Sequence, residues 1–590
     1  MLDLRPPSAG ALSPDGKRLF FNWAITGVQQ VFRVDGAGRF PTQLTGGEDV
    51  TTLLAVTRDG KQVVLARDRK GEENPGLYLQ DALRGGELTV VQHKPGVQTH
   101  FQALGADGRS IYFTANDKKR DSYVVYRYDL VERRSEPVVE ADGLWRVVDT
   151  TAEGALLLQK ATGALSSELW EWSPKTKQLA PLLGQGEAEE YRAAWGHGGE
   201  VLVQTSKLGD FRRLYTLAGG KLTPITEERR ADVSGFSVDP AKTRVLYQVD
   251  DGGRTRLFAM DARTKRPLAL PKLPEADHVN AGATTPDGRF TTLSVDDGAG
   301  PRRAYVIDWK TGKAEPWHQP SAPELATESF AKAELAHYPA RDGASIPAWV
   351  RKPARCPDDP CAVVVHFHGG PESQARPGFS ASAQMWVDAG FVYVEPNVRG
   401  SDGLGKAWLH ADDGPKRLDV ITDIEDASRW VKKAFERSGK APKVGVYGGS
   451  YGGYSTLIGM TMFAGAYDAG VDVVGMSSLV TFLENTAPYR RQLRISEYGD
   501  PVKDREALLK LSPITHLDKL KAPLLILQGA TDPRVPAGEA IQLHDALAAK
   551  GVSTKLMIFP NEGHGAQRRE NQALMLGHSI AFMKKHLQGR

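Results

Sequence analysis

A serine hydroxyl becomes a nucleophile at neutral pH only when a histidine can take its proton and a carboxylate holds that histidine in place. This sequence offers one such set in order. Ser450 lies in Lys443-Val444-Gly445-Val446-Tyr447-Gly448-Gly449-Ser450-Tyr451-Gly452-Gly453-Tyr454. That stretch reads as a buried strand, a sharp glycine turn, then a helix from Tyr451 to about Phe463. Gly448 and Gly452 give the spacing G-x-S-x-G of a nucleophile elbow, a bend so tight that its neighbours must lack side chains. Alone the pattern also fits a glycine-rich turn with a solvated serine. Asp532 and His564 change that. Asp532 follows the apolar run Leu524–Gln528, and His564 follows Leu556–Phe559 within Pro560-Asn561-Glu562-Gly563-His564-Gly565. The chemistry expected is acyl transfer: Ser450 attacks, His564 relays the proton, and Asp532 orients the imidazole.

The anion formed on attack needs donors. The amides of Ser450 and of the first helical turn are expected to point towards it. A second donor belongs in His366-Phe367-His368-Gly369-Gly370-Pro371, which follows another buried run. The pair expected is the Gly370 amide and the Tyr451 amide. His366 and His368 would also share one face of a strand, as metal ligands can, but no third ligand stands at suitable spacing, so no metal is expected.

The elements that must position these residues alternate. Strands are expected at Ile346–Arg351, Ala362–Phe367, Phe391–Pro396, Lys443–Tyr447, Val471–Met476, Pro523–Gln528 and Thr554–Phe559, with helices at Asp423–Glu436 and Ala537–Lys550. Such alternation gives a doubly wound, mostly parallel sheet, and its ligands bind at the carboxyl ends of the strands. The chain order serine, aspartate, histidine, each past a strand, is that of an α/β-hydrolase.

The first 320 residues instead repeat. A Ser/Thr-x-Asp-Gly turn recurs at Ser13–Gly16, Thr57–Gly60, Gly105–Gly108 and Thr285–Gly288. Weaker copies stand at Thr151–Gly154, Gly196–Gly199 and Val238–Ala241. Measured through residues 15, 59, 107, 153, 198, 239 and 287, the steps run from 41 to 48 residues. Asp-Gly turns between alternating runs are hairpin signals, and a constant period near 45 predicts a seven-bladed β-propeller rather than a sandwich. The boundary is expected between residues 322 and 323, giving a propeller over 1–322 and a hydrolase over 323–590. A proline-rich linker is expected from Pro316 to about Ser329.

A chain of 590 residues exceeds one core. It is 41% hydrophobic and 25% charged, with net charge +3. Nothing there calls for nucleic acid, and no apolar run reaches the roughly 18 residues of a membrane span. The first residues, Met1–Pro7, lack the pattern of a signal peptide. The only cysteines, Cys356 and Cys361, suit either a small loop disulfide or two reduced surface thiols. The first alternative favours an exported or periplasmic location over a cytoplasmic one.

With a propeller ahead of it, the hydrolase resembles the prolyl oligopeptidase family of serine peptidases, over essentially the whole chain. The His-Gly-Gly-Pro loop at 368–371 points to its acylaminoacyl-peptidase-like branch. Further matches are Asn397–Gly403, Gly448–Tyr454, Glu497–Pro501, Asp532–Val535 and Glu562–Gly565. The resemblance implies hydrolysis of short peptides, a propeller that excludes folded proteins, no cofactor, and in many relatives a homo-oligomer. By the same analogy Leu479, Val480 and Phe482 form an apolar wall for the residue before the scissile bond, and Arg534 contacts substrate. Dipeptidyl relatives hold the substrate amino terminus with paired glutamates. Glu189-Glu190 is the tempting pair here, yet its acidic surroundings read as a solvated turn. Many relatives also pack an N-terminal segment on the hydrolase, whereas here the first blade turn begins at Ser13. Two rival functions remain: a carboxylesterase on the same triad, and a propeller-based binding protein with a relic hydrolase.

Overall fold

In four blades of the N-terminal region the first hairpin is set by one recurring turn. At Ser13–Gly16, Gly16 sits at φ 69°, its amide donates to the Ser13 carbonyl at 2.8 Å, and the Lys17 amide donates to Asp15 at 3.1 Å. The same geometry returns at Asp59-Gly60, Asp107-Gly108 and Asp287-Gly288, where the glycines have φ between 69° and 74°. A left-handed backbone there excludes most side chains, and the short aspartate ties down the following amide, which explains the repeated pair.

The structure is a computed structural model that describes residues 1–320 and 324–590. The strands of residues 11–224 form five four-stranded antiparallel sheets. Residues 233–318 form an eight-stranded sheet whose two halves meet only through the pair Thr255 and His278. It counts as two blades, making seven. The ring closes by packing: Leu12, Leu19 and Phe21 of the first blade share a core with Ala304 and Val306 of the last, and the Thr292 hydroxyl donates to the Gly10 carbonyl at 2.9 Å. The expected linker is shortened, because Pro316, Trp317 and His318 belong to the outer strand Lys313–His318. A proline is tolerated on an edge strand, where its missing amide faces no partner. The expected boundary at 322/323 lies outside the described residues.

The C-terminal sheet has eight strands: Glu334–Pro339 (β1), Ser345–Arg351 (β2), Val363–Phe367 (β3), Val392–Pro396 (β4), Val444–Gly449 (β5), Ala469–Val473 (β6), Leu524–Gly529 (β7) and Thr554–Phe559 (β8). Their order is β1-β2-β4-β3-β5-β6-β7-β8. From β4 through β3 to β8 all pairings are parallel, while β1–β2 and β2–β4 are antiparallel. The protein is a seven-bladed propeller followed by an α/β-hydrolase. Edge strand β1 escaped the sequence reading, its polar half-exposed run carrying little period. Strand β6 starts at Ala469 and ends at Val473, earlier than expected, because the chain bends at Val474, held at φ 47°.

Six blades bond the hydrolase among the described residues, the first through Gly27, whose carbonyl accepts from the Arg569 amide at 3.0 Å. The loop of blade 2 meets it through Lys70, whose carbonyl accepts from the Thr531 hydroxyl at 2.7 Å. Blade 4 meets it where the Ala164 amide donates to Ser496 at 2.8 Å. Blades 5 and 6 contribute Arg212 to Asp402 at 2.7 Å and Asp250 to Arg376 at 2.6 Å. Blade 7 adds His278, whose Nε2 lies 2.7 Å from the Pro377 carbonyl. The first nine residues also pack on the hydrolase, through Leu2 in its second core cluster and Asp3 to Arg569 at 2.7 Å. The sequence reading, which began the first blade at Ser13, had no such segment. Cys356 and Cys361 form a disulfide.

Candidate active site

Strand β5 delivers Ser450 into a backbone that few residues adopt, φ 60° and ψ −119°. The glycines around it are there for clearance. A Cβ on Gly452 would strike the Phe367 carbonyl, and one on Gly448 would strike the backbone of Gly452. Such strain persists only where surroundings over-determine it, and it is found at nucleophile turns. The helix that follows ends at Met460, sooner than the expected Phe463.

Strands β7 and β8 deliver the other two residues. The His564 ring nitrogen Nδ1 lies 2.7 Å from Asp532 Oδ2. The Asp532 side chain is 0% exposed, and its other oxygen accepts from the Arg534 and Val535 amides at 2.8 and 3.1 Å. A carboxylate so placed can hold one imidazole tautomer and stabilise the imidazolium. The Ser450 hydroxyl makes no hydrogen bond to a protein group among the described residues.

One residue that holds this loop was missed by sequence reasoning. Glu562 is buried, and its carboxylate accepts from the Gln567 and Arg568 amides at 2.9 and 3.0 Å and from Asn571 Nδ2 at 2.7 Å. It ties the His564 loop to the start of the last long helix, Arg569–Met583. A glutamate beside a glycine reads as an ordinary turn, so only its burial reveals the role.

The candidate oxyanion donors differ in part from expectation. The Ser450 amide is taken, donating to the Val473 carbonyl at 2.9 Å. The Tyr451 and Gly370 amides have no protein acceptor among the described residues. Both lean on one buried charge cluster. The Tyr451 hydroxyl donates to Asp412 at 3.1 Å, and the Tyr498 hydroxyl donates to the Gly370 carbonyl at 3.4 Å. Between the two rings sits the Arg417 guanidinium, 5.5 Å from the Tyr451 ring and 4.5 Å from that of Tyr498. Arg417 bonds Asp412 at 3.0 Å and Glu497 at 2.6 Å. The three side chains are 0%, 1% and 2% exposed. One cation thus serves two carboxylates. Burial raises the Glu497 pKa well above its ordinary value, with the charges of Glu372 and Asp412 adding to it and Arg417 opposing.

His366 and His368 do not converge. His366 stacks on Tyr447, ring centres 5.0 Å apart, and approaches Glu395 at 3.5 Å. His368 places Nε2 2.9 Å from Ser401 and Nδ1 2.8 Å from the Gly369 carbonyl, and burial lowers its pKa to about 4. Of the residues expected to form an apolar wall, Leu479 has no exposed surface. Val480 and Phe482 are buried beside it, with Phe482 edge-on to Tyr498 at 5.5 Å. Arg534 pairs through Nε with Glu73 of the propeller. Glu189 and Glu190 are not a solvated turn: they reach Lys406 at 3.0 Å and Arg212 at 3.2 Å.

Comparison with known proteins bears on the family. The chain's C-terminal region belongs to the prolyl oligopeptidase family. Residues 377–590 match the family model described as prolyl oligopeptidase family. Dipeptidyl aminopeptidase BIII of Pseudoxanthomonas mexicana is 26% identical over 633 residues, covering 98% of this chain and 86% of that protein. The acylamino-acid-releasing enzyme of Arabidopsis thaliana is 33% identical over 219 residues, 36% of this chain and 28% of that one. Among solved structures, one from a study of two prolyl endopeptidases superposes with TM-score 0.85 at 20% identity, covering 100% of this chain and 90% of the other. A puromycin hydrolase superposes with TM-score 0.82 at 18% identity, covering 98% and 94%. This prolyl oligopeptidase family member is a serine peptidase. No described helix is long and apolar enough to cross a membrane.

Proposed function

We propose that Ser450, His564 and Asp532 are the catalytic triad of a peptidase acting on short peptides through an acyl-enzyme, with the propeller as its size filter. The observation that carries this is the 2.7 Å contact of His564 with the buried Asp532, beside a serine on a strained elbow. Ser450 attacks the scissile carbonyl, and His564 takes its proton and returns it to the leaving amine. Asp532 keeps the imidazole in register. The Tyr451 and Gly370 amides bind the oxyanion. The Ser450–His564 hydrogen bond closes in the substrate complex, as catalytic contacts in empty sites commonly do.

Val480, Phe482 and Tyr498 make the wall facing the residue before the scissile bond, which favours uncharged side chains there. The end of the last blade at His318 and the start of β1 at Glu334 support a domain division at 322/323. The relatives release dipeptides or acylated amino acids by name, and the choice between these modes belongs to the same reading. Glu189 and Glu190 already have cationic partners, which weakens a free-amine anchor at that pair.

Labelling by a fluorophosphonate tests the reading. Wild type is expected to label at Ser450 and to cleave peptide p-nitroanilides, and Ser450→Ala to lose both while melting at the wild-type temperature. Turnover of p-nitrophenyl esters with none of the anilides assigns a carboxylesterase instead, and an unlabelled wild type refutes the triad.

A further inference from the structure

Beside the triad, between propeller and hydrolase, lies a cavity of about 460 Å³. Its wall draws on the inner strands of two blades, through His100 on Thr99–Leu104 and Arg146 on Leu144–Thr150. The loop of blade 2 adds Glu73, helix Pro488–Tyr498 adds Arg490, and Arg534 enters two residues past Asp532. The volume falls in the range of ordinary ligand sites, about 300–1,000 Å³.

The charge of this wall is unbalanced. Three guanidiniums face one carboxylate, and that carboxylate is engaged by Arg534. Arg146 lies beside His100 and has no acidic partner among the described residues. Arg490 has its Nε buried without a hydrogen-bond partner, and the neighbouring Tyr489 hydroxyl is unpartnered too. Burial, Arg494 and Arg534 all oppose the charge on Arg490. His100 adds no negative charge, and burial with Arg146 beside it lowers its pKa to about 4. A buried guanidinium without an acceptor is costly, and its planar fork matches a carboxylate.

The position matters as much as the charge. The Arg534 amide donates to Asp532 at 2.8 Å, and the helix bearing Arg490 ends at Tyr498, which touches the Gly370 carbonyl. Arg534 and the helix Pro488–Tyr498 thus tie this wall to the Asp532 turn and to the Gly370 loop. We propose that the cavity is a subsite for a carboxylate of the peptide substrate, gripped by Arg490 and Arg146. It would make the enzyme prefer peptides carrying an acidic group at one defined distance from the scissile bond. The inference rests on the triad reading for its substrate class. The carboxylate has two sources, an Asp or Glu side chain or the peptide carboxyl terminus.

The test uses internally quenched peptides in matched pairs: Glu against Gln at each position in turn, and a free C-terminal acid against the amide. The expected result is one pair whose acid member has kcat/KM at least about tenfold higher, the effect of a hydrogen-bonded charge. In Arg490→Met and Arg146→Met that ratio falls to within about twofold of unity, and Arg490→Lys restores part of it. Because the ratio is taken within each variant, a general loss of activity cancels. The side-chain arm and the terminal-acid arm distinguish the two sources. Direct binding of the same pairs to Ser450→Ala, followed by fluorescence, reads the preference without turnover, so failure of the triad and failure of the subsite are separable. No acid preference in wild type, or one that survives both arginine substitutions, overturns the proposal.

Discussion

Arg417→Met removes the one cation from a cluster that holds two carboxylates at 1% and 2% exposure. Methionine fills similar space, so the change isolates charge from volume. Breaking a buried ion pair by deleting one partner costs about 3–5 kcal/mol, because the remaining charge is left desolvated. For units of about 150–250 residues each kcal/mol moves Tm by about 2–4 °C, so a fall of about 6–20 °C is expected. The deficit carries a pH signature. Without Arg417 the folded-state pKa values of Asp412 and Glu497 rise further above their unfolded values. The folded variant then holds more protons than its unfolded chain, so its stability falls as pH rises from about 4. Below about pH 3 both acids are protonated in either state and the deficit fades. Urea titrations of wild type and variant at pH 5 and pH 8 measure it. Glu497→Gln keeps the shape, removes one of the two negative charges, and is expected to cost less. Activity should fall as well, since Tyr451 and Tyr498 lean on Arg417 and the loss of one oxyanion donor costs about 10²–10³ in kcat. A deficit below about 1 kcal/mol, or one equal at both pH values, refutes the account of the cluster as a charge-balanced support.

Asp532→Asn preserves shape but no longer fixes the imidazole tautomer. kcat on a peptide anilide is expected to drop by about 10⁴, and a drop below tenfold would place the orienting acid elsewhere. Glu562→Ala frees the His564 loop from three donors. Displacement of the imidazole by about 1 Å should cost about 10² in kcat, with Ser450 still labelled slowly by fluorophosphonate. Glu562→Gln, which keeps part of the acceptor set, should fall between. Unchanged kcat in Glu562→Ala would make that carboxylate a feature of stability alone.

Much of the architecture was legible along the chain because it is periodic. The Asp-Gly turns mark the first hairpin in four blades and weaker copies keep the period in the others, since a left-handed glycine and a short capping carboxylate are local requirements. The parallel strands announce themselves as apolar runs because both their faces are covered. The candidate set Ser450, Asp532 and His564 stood out for a related reason: strand ends in a doubly wound sheet converge on one rim. Strand β1 and the end of the linker were not, because edge strands are polar and short of pattern.

What tertiary structure alone decided concerns pairing between distant residues. That Glu189 meets Lys406, that the Ser450 amide is spent on Val473, and that Glu562 is a buried anchor follow from how separate segments face each other. The same holds for Arg417 between two tyrosines and two acids. Hydrophobic period and turn chemistry are properties of neighbours in sequence, so the chain displays them directly. A charge's partner, and whether water reaches it, depend on residues tens to hundreds of positions away, and only the folded protein brings them together.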